Sequence, residues 1–447
     1  MAKGLSISEI AVFQAGKISV MKNGTAAQPT TAQGAKIVQG KDALFRVYVT
    51  VDSGFQSRAL SARLMLNGQS AGYSAKTTIS ASTTELTAAN SFNIPVPGSA
   101  ITDNLDYQVE IVECATGSGT DHSPLFPSSG VASLATLKTG PEKLTVVPVT
   151  SGGTTPTLDQ TFSDALKSYI DSMYPTSGAQ VTLNSTPITG CTITASTAMS
   201  SSAWSSCLDS VMARRRSDKP ANDVYYVGVV QPTSSLNSYC GSGCIMGISP
   251  VASLTASSSR VSLIVGYSGY APSTAAHEIG HAHGLEHSPG CDADQPDPKF
   301  PYVTNGKAYI GWVGWDKQQT STKFYDPAKY TDIMAYCSPQ WISDYVYREL
   351  ADRIVALNGA FIISGPARTW RIVIEGPSGL WWGTPVTDPI PAEGEPVAAR
   401  VLDASGNTIV QITGYRTPTS IGTAFYMVPD PQPGWFAIAI GEGELAY

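Results

Sequence analysis

Charge is scarce in this 447-residue chain: Asp, Glu, Lys and Arg together make up 14% of it, and the formal net charge is -7. That balance excludes the broad positive field that draws nucleic acid or anionic lipid to a protein surface, so no nucleic-acid partner is expected. Long apolar runs are missing too. No stretch approaches the roughly 20 consecutive apolar residues that a spanning helix requires, which predicts no membrane span. The residues from Met1 to Gly16 also lack the basic and apolar regions of a secretory signal. Cysteine and histidine are few, seven and five respectively. Their placement is uneven.

Six cysteines (Cys191, Cys207, Cys240, Cys244, Cys291 and Cys337) fall in one central segment, with only Cys114 outside it. An even cluster predicts disulfides and therefore an oxidising compartment. A secreted or extracellular protein is expected, its targeting segment absent from this sequence.

Chain length predicts two or three domains. Residues 1–140 follow period two, as in Phe45, Val47, Val49 and Val51 or Tyr107, Val109 and Ile111, with turn-rich stretches between the runs. This predicts an immunoglobulin-like β-sandwich. Residues 141–359 alternate strands (144–149, 224–230 and 261–265) with helical stripes. These stripes are Leu158 to Met173, Trp204 to Met212 and Ile342 to Ile354, and the segment reads as α/β. Residues 360–447 return to short alternating strands, predicting a small C-terminal β-domain. Neither flank holds a candidate catalytic residue.

Four of the five histidines lie within His277-Glu278-Ile279-Gly280-His281-Ala282-His283-Gly284-Leu285-Glu286-His287. Positions i and i+4 share a helix face, so His277 and His281 can present their rings to one ion. Gly284 is placed to end the helix in the left-handed conformation, after which the turn can return His287 to the same ion. Three neutral imidazoles around Zn²⁺ leave an open coordination position, as in catalytic zinc sites. Glu278 stands where it can take a proton from an attacking water. A chance match to this spacing is on the order of one in a million for a chain so poor in histidine. A glutamate as third ligand has no good source, because Glu286 is the only one between Glu278 and Glu349. His283 points off the ligand face and is expected to be a packing or surface residue.

The extended motif resembles the metzincin clan of zinc endopeptidases. The resemblance implies that Met334, in Asp332-Ile333-Met334-Ala335-Tyr336-Cys337, is the methionine of the tight turn beneath the metal. It further implies that Tyr336 ligates zinc or stabilises the tetrahedral intermediate. The expected fold is then multidomain α+β, a metzincin-like catalytic domain between two β-domains. That layout resembles large secreted bacterial metalloproteases, some of which cut mucin-like glycoproteins. Cys291 follows the third ligand closely and Cys337 follows Tyr336, so the two are expected to be bonded. Cys191 is expected to pair with Cys207 and Cys240 with Cys244, leaving Cys114 free.

The lesser features have plainer readings. Asp292, Asp294 and Asp297 lack the EF-hand pattern, so a solvated loop is expected ahead of a calcium site. Arg214 to Arg216 suit a helix C-terminus. Trp370, Trp381, Trp382 and Trp435 suit packing better than a carbohydrate platform. The expected activity is that of a secreted zinc endopeptidase acting on extracellular proteins or glycoproteins, with Glu278 as general base. The alternatives are a zinc amidase acting on a non-protein or cell-wall peptide substrate, and an adhesin-like binding protein with a vestigial zinc site. Glu278 argues against the last, since a purely structural site has no use for it.

Overall fold

The structure, a computed structural model, describes residues 2–113, 124–241, 243–319, 322–359 and 366–447. Cys114 lies outside the described residues. The period-two segments near the N-terminus form two antiparallel sheets. One is ordered Thr25–Ala26, Lys17–Lys22, Leu5–Phe13, Ala43–Val51, Ser91–Val96, and the other is built on Leu105–Val112 and Arg58–Leu66. Alternation along the strands sends Phe45 and Val47 of the first sheet, with Leu64, Tyr107 and Val109 of the second, into one core. The Phe45 and Tyr107 rings lie 6.5 Å apart.

The central sheet runs Ala179–Leu183, Glu142–Ser151, Val224–Val230, Val261–Val265, Gly247–Ile248. Its first three pairings are parallel, and the last, at the Gly247–Ile248 edge, is antiparallel. Both faces are covered at its middle, so Val224–Val230 and Val261–Val265 are apolar almost throughout. In Val224–Val230, Tyr225, Val227 and Val229 join the core on one face, while Tyr226 and Val230 join the core on the other. Helices Gln160–Met173 and Ala271–Ala282 pack on the first face, where the Tyr174 hydroxyl donates to the Ala276 carbonyl. Helix Ser201–Asp218 covers the second. Its Trp204, Leu208 and Val211 pack there with Trp370, Ile372 and Phe425 from the C-terminal region.

The C-terminal strands lie between Arg368 and Ala446. They form an eight-stranded antiparallel sheet whose inner face shares a core with helix Ser201–Asp218. The N-terminal sheets are tied in as well, since Trp341 Nε1 donates to the Ala15 carbonyl at 2.7 Å. A Cβ on Gly16 would collide with the Trp312 ring. No helix among the described residues is long and apolar enough to cross a membrane.

Candidate metal centre

Strand Val261–Val265 leads directly into helix Ala271–Ala282, which carries His277 and His281. Pro272 sits in its first turn, where a missing N–H leaves no helical carbonyl unpaired. The helix is buried nearly all round, so its polar side chains must find partners. It stops in a Schellman motif: Leu285 N–H donates to Gly280 O and Gly284 N–H to His281 O, with Gly284 at φ 93°. Glycine is needed there twice over, because a Cβ would also lie 2.7 Å from the Ala252 carbonyl oxygen. This reversal turns the chain back and brings His287 beside the helix.

The three imidazoles converge through their Nε2 atoms. His281 Nε2 lies 3.0 Å from that of His277 and 3.1 Å from that of His287, and the three form a cluster within 4.8 Å of one another. Their outer nitrogens settle the tautomers. Nδ1 of His277 donates to Ile333 O (2.8 Å), that of His281 to Leu285 O (2.7 Å) and that of His287 to Asp294 O (2.6 Å). A carbonyl can only accept, so each Nδ1 carries the proton and each Nε2 presents a lone pair to the common focus. Burial also disfavours the charged rings, pushing His277 down to about 4 and holding His281 and His287 below their ordinary value. Neutral rings with fixed tautomers and facing lone pairs fit a divalent cation of the zinc type. Without one, three acceptors would face each other with no donor between them.

Below the cluster, residues 332–335 form a turn held by Asp332. Its Oδ1 accepts from Met334 N–H (2.7 Å) and Ser288 Oγ (2.8 Å), and its Oδ2 from Ser343 N–H (2.8 Å). Ser288 N–H donates to Met334 O at 3.0 Å, which ties the turn to the residue after His287. The disulfide between Cys291 and Cys337 joins the same two segments, with Cα atoms 5.3 Å apart. Cys191 is bonded to Cys207 and Cys240 to Cys244.

Glu278 is buried with its carboxylate against the edge strand, where a Cβ on Gly247 would fall 2.6 Å from its Oε1. Ser420 Oγ donates to Oε2 at 3.3 Å. Burial raises the carboxyl to about 8, against the opposing hydrogen bonds of Ser249 and Ser420. Tyr336 stands at the opening, 46% exposed, its ring 4.7 Å from that of His287 and 6.0 Å from that of His277. Partial burial, then the charges of Glu278 and Asp294, hold its hydroxyl above the ordinary value and therefore protonated.

The remaining candidates lie elsewhere. His283 is a packing residue, stacked 4.3 Å from Tyr225 and bonded through Nε2 to Glu142 at 3.2 Å. Asp292, Asp294 and Asp297 form no cation cluster: among the described residues the only group of three potential ligands is the histidine triad. Asp297 is instead engaged by Lys299 N–H and the Tyr345 hydroxyl. Arg215 and Arg216 lie in the last turn of helix Ser201–Asp218. Trp370 is buried and Trp381 bonds Ser206, while Trp382 and Trp435 pack on the Tyr447 ring at 5.3 and 5.9 Å, so the four tryptophans do not form one cluster.

Sequence reasoning missed Ser249, Ser420, Asp332 and Ser288. Asp332 and Ser288 adjoin motif residues and carry that weak signal. Ser420 carries none, being a serine in a segment without other chemistry, 142 residues beyond Glu278.

Residues 151–346 match the family model described as Metallo-peptidase family M12, Reprolysin_5. The matched segment contains the whole histidine cluster, and the metzincin resemblance holds for it. No curated protein matches the sequence.

Proposed function

We propose that the chain is a secreted zinc-dependent endopeptidase acting on extracellular proteins or glycoproteins, with Glu278 as general base. The observation that carries this reading is the convergence of three tautomerically fixed Nε2 atoms one residue from a buried carboxylate. His277, His281 and His287 would hold the ion. Zinc bound there supplies Lewis-acid activation of water and of the substrate carbonyl. Glu278 then accepts the proton of the attacking water at its carboxylate and passes it to the leaving amine. Its raised pKa suits both transfers, although a cation beside it favours the charged form. The protonated Tyr336 hydroxyl donates a hydrogen bond to the oxygen on which negative charge develops. Secretion is supported by three disulfides, which need an oxidising compartment.

Incubating the purified chain with casein and with a mucin, with and without a chelator, tests the reading. Cleavage that stops on chelation and returns with added zinc is expected. A zinc-loaded protein that cuts neither substrate would contradict it.

A further inference from the structure

The hairpin joining strands Thr408–Pro418 and Ala424–Pro429 reaches out of the C-terminal sheet to the metal centre. Its tip pairs with the chain that continues the edge strand Gly247–Ile248. Pro250 and Thr419 form an antiparallel bridge. Val251 N–H donates to Pro418 O at 2.8 Å, and Ser420 N–H donates to Ser249 O at 2.9 Å. Ser249 N–H is taken by Ser420 Oγ at 3.1 Å, the same hydroxyl that reaches Glu278. On its far side the tip meets the loop after His287, where a Cβ on Gly422 would lie 3.8 Å from Gln295 Nε2. The tip therefore pairs with the edge strand and lies beside the segment that follows the third histidine. Only a cavity of about 30 Å³, bordered by Val251, His281, His287 and Gln295, remains between them.

Along an antiparallel strand, the backbone groups of alternate residues point to the same side. Met246 O bonds Val265 N–H inward, so Gly247, Ser249 and Val251 point outward. The outward groups of Ser249 and Val251 are engaged by the tip. Those of Gly247, beside Glu278, have no partner among the described residues. An extended peptide added antiparallel to such an edge would face Val251 with its amino-terminal part and Gly247 with later residues.

We propose that residues 418–422 wall off the cleft on the amino-terminal side of the scissile bond, so that recognition there ends after about two residues, the spacing from Gly247 to Ser249. The inference rests on the peptidase reading. Substrate chain beyond that point must turn out of the cleft, and selectivity comes from the carboxyl-terminal side. Residues 418–422 thus determine specificity through their main chain.

The test is a peptide series with one cleavable bond, lengthened by one residue at a time on either side and assayed with the zinc-loaded full chain. The expected result is that kcat/KM stops rising after about two residues on the amino side and continues to rise on the carboxyl side. In a variant whose 419–422 tip is replaced by a shorter turn, kcat/KM should resume its rise on the amino side, by roughly fivefold for each new main-chain bond and so in steps of two residues. Equal gains on both sides in the unaltered protein would overturn the proposal. Amide hydrogen exchange on the same protein gives a readout independent of turnover. Protection at Val251 and Ser420 supports the wall even if no peptide is cut, an outcome that would count against the peptidase reading alone. Exchange there as fast as in an open loop overturns the wall.

Discussion

A Cβ atom on Gly280 would lie 2.5 Å from Sδ of Met334, so the helix bearing the first two histidines rests directly on that methionine. The contact explains why a residue between the two histidines has no side chain. Gly280→Ala forces the thioether away, at a cost of about 1–3 kcal/mol for overpacking, against about 1 kcal/mol of regained helix propensity. A net loss of stability in the chelated protein and a weaker zinc affinity are expected. Urea unfolding and a zinc competition titration measure the two, and an alanine variant as stable as the parent would contradict the contact's role.

Cys291 and Cys337 close a loop of 46 residues that holds the segment after His287 against the turn at Met334. Chain-entropy arguments put the stabilisation from a loop of that length at about 4 kcal/mol. Replacing both cysteines with serine should lower the unfolding midpoint and make zinc easier to strip. The check is thermal unfolding at fixed zinc concentration. An unchanged midpoint would show that the Asp332 and Ser288 bonds hold the two segments without it.

Burial moves the Glu278 carboxyl from 4.5 to about 8 in the metal-free protein, so the folded state keeps a proton that the unfolded chain has released. The stability linked to this group is fully present below the unfolded value and is lost as pH rises towards 8. Gln at 278 has no such proton. With zinc removed, Glu278→Gln and the parent should unfold alike near the low end of this window. By its upper end the Gln protein should be the more stable, by on the order of a few kcal/mol. Denaturation curves across the window decide it, and a constant difference would refute the shift.

Tyr336 is expected to act on turnover. Tyr336→Phe removes one donor to the developing oxyanion and should lower kcat by about 10²-fold to 10³-fold, with little change in KM and zinc retained. A Phe variant with a near-parental kcat would show that the ring only packs against His287.

Much of this was legible in the sequence because the chemistry was local. The spacing of His277, His281 and His287 needs only a helix and a glycine turn, and Met334 follows within one short motif. The period-two runs were equally readable, since alternation records which face is buried. Residues brought in by tertiary packing were not. Ser420 reaches Glu278 only because the C-terminal sheet docks on helix Ser201–Asp218, and no local pattern encodes that docking. The same docking gives the C-terminal strands a core shared with that helix, which their short alternating runs do not record.

The account stands on Glu278 handling protons while three histidines hold the metal. Substituting Glu278 with Ala and with Gln, then measuring zinc content and peptide hydrolysis on the same preparations, tests this most directly. Zinc near one per chain with turnover abolished is expected for both, and His281→Ala should lose metal and activity together. Substantial hydrolysis by either zinc-loaded Glu278 variant would contradict the account.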